Sequence, residues 1–486
     1  MKKSLLLILL CALLSRAGTA QAAPRLLVVI SVDQMRADYL DRFASQFQGG
    51  FKLLREQGAV FTDAHHVHIP TETGPGHAVI LTGRFPDRTG IVGNTWWDRS
   101  LSTEVYCVAD SVHGLGPEHL LTYTLGDALK AQDPRSQVVS ISLKDRAAIL
   151  LGGKKPDTAL WYDKRKGEFT TSSYYARPTW LEKFNKGLKA KGGPLFGDTT
   201  AQYQELIYEP KADRVTLMLV EEAARRFKLG RGKHSDLLAI SFSATDYIGH
   251  RYGPDSDQMR AQLLSLDAEL GELFSYLDRR VGRGFYDVAL TADHGVTPRP
   301  EDPSGQAQGI KRMMYDELGA RLEKALQYQF PSQEPWLINE YPNLYVNRAQ
   351  VARLGLDWTA FLRNAVGPLQ TAEGVAKIYI GDEIDPADPY ADAYKRSYMP
   401  GRSGDFLVRV STEVLVTDRP TGADHGSPYL NDTHVPMVFW GPDFKTGSYT
   451  ERAWVADLAP TCGAVLGVDF PPAEGSRVHG EAIVKP

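Results

Sequence analysis

Four short runs along the chain are mainly apolar without alternating, and each leads into a polar or charged residue. Arg25 to Val32 runs into Asp33, Gln137 to Leu143 into Lys144, Leu237 to Ser243 toward Asp246, and Tyr286 to Thr291 toward Asp293. Runs that do not alternate with polar residues suit strands buried on both faces. Between them the pattern turns helical. Met259, Leu263, Leu266, Leu270, Leu273 and Leu277 recur at alternating steps of four and three, which predicts one long amphipathic helix. Strand alternating with helix predicts an α/β fold, a mostly parallel sheet sandwiched by helices. Such sheets open their sites beyond the carboxyl ends of the strands. The four charged residues that follow the runs are therefore predicted to meet at one edge. Two stretches fit the alternation poorly: about 98–233, rich in Gly, Lys, Tyr and Trp, and about 304–420, rich in Pro, Asp and Tyr. Both are expected to be insertions that cap the active edge of a single domain spanning 23–486.

The first residues change the picture of where the protein works. Lys2 and Lys3 precede an apolar run from Leu5 to Leu14, and Ala20-Gln21-Ala22 offers a small-x-small cleavage site, the pattern of a cleavable signal peptide over 1–22. The product is expected to be exported, periplasmic or secreted. The run falls well short of the roughly 20 apolar residues a spanning helix needs, and no other segment approaches that length, so no membrane association is expected. Cys11 follows Leu9-Leu10 and lacks the small residue that a lipid-modified cysteine has before it. Cleavage removes Lys2, Lys3 and Arg16 and no acid, moving the formal charge from −4 to −7. That mild acidity argues against nucleic acid as a partner. Cys107 and Cys462 remain, and an exported compartment permits their pairing without requiring it.

Candidate chemistry concentrates in Asp33, Asp246-x-x-x-His250, Asp293-His294 and His425. Imidazole and carboxylate are the ligands zinc takes in oxygen chemistry, and six of them can supply three to each of two ions. Each alone is weak evidence, since a strand-end Asp is usually a cap and a lone His usually packs. Their coincidence at strand ends carries the inference, together with Gly295 and Gly426 directly after His294 and His425, where the backbone must turn. A second feature is Thr71-Glu72-Thr73-Gly74-Pro75-Gly76-His77. Pro75 suits the first turn of a helix and places Thr73 at its N-terminus, where backbone dipoles favour an anion, though an ordinary threonine cap has the same pattern. His66 and His68 share a face if their segment is extended, but no third ligand lies near in sequence, so structural roles are expected. His77 reads as positional. His65, His113, His119, His234, His434 and His479 give no signal.

Taken together these segments resemble the alkaline phosphatase superfamily, specifically its branch of nucleotide pyrophosphatase/phosphodiesterases and PafA-like, phosphate-irrepressible alkaline phosphatases. The resemblance rests on Thr73-Gly74-Pro75-Gly76-His77, on Asn94 in Gly90-Ile91-Val92-Gly93-Asn94, and on Ser142-Leu143-Lys144-Asp145-Arg146, and it runs from Asp33 to His425. It implies an alkaline-phosphatase-like fold. It implies Thr73 as nucleophile, one zinc on Asp246, His250 and His425, and another on Asp33, Asp293, His294 and Thr73. Asn94, Lys144 and Arg146 would hold phosphoryl oxygens.

Charge counting then bears on substrate. Two Zn²⁺ are balanced by the three aspartates and a Thr73 alkoxide, so Lys144 and Arg146 leave two positive charges, which suits a phosphate monoester dianion. A guanidinium can also grip two free oxygens at once. The expected activity is that of a two-zinc phosphate monoesterase, an alkaline phosphatase, with a phosphodiesterase or nucleotide pyrophosphatase as the alternative. A sulfatase would need a C/S-x-P-x-R motif, and neither Cys107 nor Cys462 lies in one. An inactive binding protein would lack a ligand or the nucleophile, and none is missing.

Overall fold

A computed structural model describes residues 23–191 and 199–484; the expected signal peptide lies outside the described residues. The centre is a nine-stranded sheet built from β1 (Leu26–Val32), β2 (Ala59–Phe61), β3 (Val138–Ser142), β4 (Thr158–Asp163), β5 (Glu168–Thr170), β6 (Asp236–Phe242), β7 (Tyr286–Thr291), β8 (Met437–Trp440) and β9 (Gly447–Tyr449). Their order is β5-β4-β3-β6-β1-β7-β8-β2-β9. Five of the eight pairings are parallel, and the antiparallel ones are β4/β5, β7/β8 and β8/β2. β1 lies in the middle, in parallel register with β6 from Leu26↔Asp236 to Val32↔Phe242 and with β7 from Leu26↔Tyr286 to Ser31↔Thr291. Every residue of β1, β3, β6 and β7 is buried, as in strands covered on both faces.

Five helices matter for the site: α1 (Thr73–Thr82), α2 (Asp145–Gly152), α3 (Lys211–Phe227), α4 (Ala244–Tyr252) and α5 (Asp257–Leu277). Both α2 and α3 pack on β3 and β6. α2 also packs against α1, and α3 against α5. The six residues whose spacing predicted α5 are all fully buried in the main core. Ser256 caps its start, Oγ accepting the Met259 amide at 3.1 Å.

The two irregular stretches behave differently. Residues 98–233 carry β3, β4 and β5 of the main sheet as well as short hairpins. Residues 304–420 build a second, antiparallel sheet from Leu337–Glu340, Asn343–Val346, Phe406–Val410 and Val375–Ile380, in that order. It has its own core around Trp336, Leu344, Phe406 and Val408, packed by the helices Tyr315–Gln329 and Trp358–Gln370. This layer reaches the segment before α1, where the Ile69 amide donates to Ser397 Oγ at 2.6 Å. Cys107 and Cys462 are free and buried in separate clusters. Among the described residues no helix is long and apolar enough to cross a membrane.

Candidate active site

The carboxyl edge of the sheet assembles the predicted residues. β1 delivers Asp33, and β7 delivers Asp293 and His294 after one further residue. β6 leads into α4, whose first turn holds Asp246 and whose next turn puts His250 on the same face. β3 leads into α2, with Lys144 at its N-cap and Arg146 in its first turn. His425 arrives from the far end of the chain, on the loop after the strand Val414–Thr417.

Asp246, His250 and His425 form one cluster, with His250 Nε2 3.3 Å and His425 Nε2 3.7 Å from Asp246 Oδ1. Asp33, His77 and Asp293 form a second cluster, and His294 Nε2 lies beside it, 3.3 Å from Asp293 Oδ2. The two clusters adjoin: His294 Nε2 is 4.0 Å from Asp246 Oδ1, and the His294 and His425 rings stack at 3.6 Å. Thr73 is the first residue of α1 and is 1% exposed. Lys144 Nζ and an Arg146 terminal nitrogen each donate to Thr73 Oγ1 at 3.3 Å. Lys144 Nζ also reaches Asp246 Oδ2 at 2.7 Å and Asp33 Oδ2 at 3.1 Å. Asn94 Oδ1 accepts the Gly74 amide at 2.8 Å, which leaves its amide hydrogens for another acceptor. Lys144 and Arg146 also line an open cavity of about 630 Å³ whose aromatic wall includes Tyr106, Trp161 and Tyr247.

Two residues that hold this arrangement were not recognised from sequence. His77, read only as positional, sits between the second pair of carboxylates: Nε2 is 3.3 Å from Asp33 Oδ1 and Nδ1 is 3.3 Å from Asp293 Oδ2. Gln34 ties the clusters together, its amide N donating to Asp293 Oδ1 and its Nε2 to Asp246 Oδ1, both at 3.0 Å. It does so from a backbone φ of +64°, a conformation uncommon for residues other than glycine. Its position directly after Asp33 was the one sequence cue. His66 and His68 meet edge to face at 4.9 Å in the interior, and the His66 ring bonds the Ala292 carbonyl at 2.8 Å, a structural role.

Burial and crowded charge set the protonation of these groups. Burial works against ionised Asp33, but Lys144 and His77 overcome it and hold the carboxyl at about 2. Asp293, pushed up by burial and then by Asp33, rises to about 7. Burial also disfavours charged His77, yet the two carboxylates beside it raise its pKa. Glu72, next to Thr73, is lifted to about 7 by burial.

The family model described as type I phosphodiesterase / nucleotide pyrophosphatase matches residues 27–431. The chain belongs to that family. Among family relatives, alkaline phosphatase PhoV of Synechococcus elongatus is 31% identical over 94% of this chain and 92% of its own length. Alkaline phosphatase PafA of Elizabethkingia meningoseptica is 29% identical over 92% of both chains. The crystal structure of wild-type PafA superposes with a TM-score of 0.89 at 28% identity, covering 96% of this chain and all of that one.

In this member of the phosphodiesterase family the donor set fits divalent metal ions. His250, His294 and His425 each place Nδ1 on a backbone carbonyl, of Ala423, Gly295 and Thr71 at 2.9, 2.9 and 2.7 Å. A nitrogen facing a carbonyl must donate, so in the neutral ring the lone pair is on Nε2, the atom turned toward the aspartates. Asp293 Oδ2 and His294 Nε2 are both buried without a hydrogen-bond partner. Facing acceptors of this kind are satisfied by a cation.

Proposed function

We propose that this phosphate-ester hydrolase is an exported alkaline phosphatase, a phosphomonoesterase that uses two zinc ions and passes through a phosphothreonine at Thr73. The observation that carries the reading is the buried Thr73 hydroxyl at the start of α1, with Lys144 and Arg146 each 3.3 Å from its oxygen. Asp246, His250 and His425 would hold one ion, and Asp33, Asp293, His294 and the Thr73 oxygen the other. When bound, the ions supply the positive charge that lowers the pKa of the threonine hydroxyl and stabilises the departing oxygen.

The chain's own residues do the rest. Thr73 Oγ, its proton passed to solvent, bonds to phosphorus as the bond from phosphorus to the ester oxygen breaks, and the alcohol leaves carrying a proton from solvent. Lys144, Arg146 and the Asn94 amide hold the phosphoryl oxygens, aided by the N-terminal dipole of α1. A water oxygen then attacks phosphorus from the side the alcohol vacated, losing a proton to solvent; the bond to Thr73 Oγ breaks, Thr73 takes a proton back, and inorganic phosphate departs.

The alternative, a phosphodiesterase or nucleotide pyrophosphatase, draws on the family's description. Two cations on the phosphoryl oxygens favour the monoester, since a diester has one of those oxygens blocked. The test is Lys144→Ala combined with Arg146→Ala, with kcat/KM measured on nitrophenyl monoesters and diesters. Two charge-assisted contacts of about 1.5–3 kcal/mol each predict a loss of roughly two to four orders of magnitude on monoesters. The loss on diesters is expected to be far smaller. Equal losses on both would remove these residues as the source of monoester preference.

A further inference from the structure

We propose that Asp63, His65 and His434, none of which belongs to the catalytic clusters, form a third site for a divalent transition metal of the zinc class. Their ligand atoms all lie within 4.8 Å of one another, a grouping of the same kind as Asp246, His250 and His425. Asp63 Oδ1 is 2.7 Å from His65 Nε2, a hydrogen bond that coordination of both atoms to one ion would replace. The His65 and His434 rings stack at 4.6 Å with 13° between their planes, and their backbones form an antiparallel bridge, so the two imidazoles are held face to face. Two imidazoles and one carboxylate are a zinc-type donor set with room for a water as fourth ligand.

The surroundings fit a site reached from solvent. His65 is 1% exposed, and its Nδ1 has no hydrogen-bond partner, whereas the Asp63 side chain is 40% exposed. His434 Nε2 faces the Thr62 carbonyl at 3.0 Å and therefore donates there, which leaves the lone pair on Nδ1. Arg452 stands 3.8 Å from Asp63 Oδ2, the oxygen turned away from His65, so it does not take the coordinating one.

The position suggests what the ion does. The Val435 amide donates to the Ala64 carbonyl at 3.1 Å and the His66 amide to the Thr433 carbonyl at 2.9 Å, and His66 in turn bonds the Ala292 carbonyl, one residue before Asp293. A metal here clasps the strand Ala64–His65 to the segment after Thr433, on the outer side of the loop that carries two catalytic ligands. Its contribution is to stability, with no part in bond making.

The experiment compares wild-type enzyme with His434→Ala and with the shape-conserving Asp63→Asn, each dialysed against the same zinc buffer and assayed for zinc per chain. The expected result is one zinc equivalent fewer in each variant. Zinc should also raise the melting temperature of the wild type more than that of either variant. Far-UV circular dichroism identifies a variant that has not folded, in which case the other one decides. Equal zinc content in wild type and both variants overturns the proposal. The test is separable from the catalytic reading, on which it does not rest: the difference between wild type and variant reports on this site, and the zinc that remains in the variants reports on the catalytic pair.

Discussion

The contact between α1 and the loop after β7 gives a prediction whose size follows from distances. Gly76 is three residues beyond Thr73 on α1, and a Cβ added there would stand 2.2 Å from the Asp293 carbonyl oxygen, 2.8 Å from its carbon and 2.9 Å from Asp293 Cα. Real Cβ atoms essentially never come within 3.0 Å of such neighbours. All three atoms are backbone, so no rotamer change relieves the overlap, and Gly76→Ala must part the helix and the loop by roughly 0.8 Å, the gap between 2.2 and 3.0 Å. That movement separates the Thr73 oxygen from Asp293 and His294. Overpacking of this kind costs about 1–3 kcal/mol of stability, and a misplacement near 1 Å costs on the order of 100-fold in rate. The expected outcome is a roughly 100-fold fall in kcat/KM for nitrophenyl phosphate with a melting temperature lowered by a few degrees. Gly187→Ala serves as control, since nothing lies within 4 Å of a Cβ there, and it should be neutral or slightly stabilising within its helix. If Gly76→Ala retains wild-type kcat/KM, the close approach of α1 to Asp293 does not set the geometry of the reaction, and the reasoning fails.

Other consequences can be checked alongside. His77→Ala leaves Asp33 and Asp293 without the ring that spaces them, and should weaken zinc affinity and kcat/KM by about 10- to 100-fold; a metal titration matching wild type would make the residue mere packing. Away from the site, burial lifts Asp213 to about 7 and Glu269 to about 8. The native state therefore holds protons that the unfolded chain releases nearer its ordinary carboxylate range. Their contribution to stability is complete below that range and is lost as pH rises through 7 and 8. Glu269→Gln should flatten the decline of melting temperature between about pH 5 and pH 8, and an unchanged slope would show that Glu269 is ionised in the native protein.

Much of the fold was legible because the central strands are buried on both faces, so hydrophobicity alone marks them; β1, β3, β6 and β7 and the helix α5 were all visible in this way. The short strands β2, β8 and β9 were not, because three or four residues carry no periodicity and their place on one side of the sheet depends on partners distant in sequence. Apart from the run that became β3, residues 98–233 looked irregular, since turns and hairpins outweighed β4 and β5 in composition. The candidate ligands could be read because strand ends converge whatever the loops do. His77 and Gln34 could not, because their importance lies in which carboxylates they meet across the fold. The same holds for His65 and His434, which are 369 positions apart and gave no sequence cue.

The most direct measurement on the central claim is to quench the enzyme at low pH during turnover of a phosphate monoester and map the phosphorylated peptide. The account predicts one phosphate on the peptide containing Thr73, absent when Thr73→Ala is treated identically and recovered in Thr73→Ser, which restores a side-chain oxygen at that position. Phosphate on a peptide that lacks Thr73, or undiminished turnover by Thr73→Ala, would contradict it.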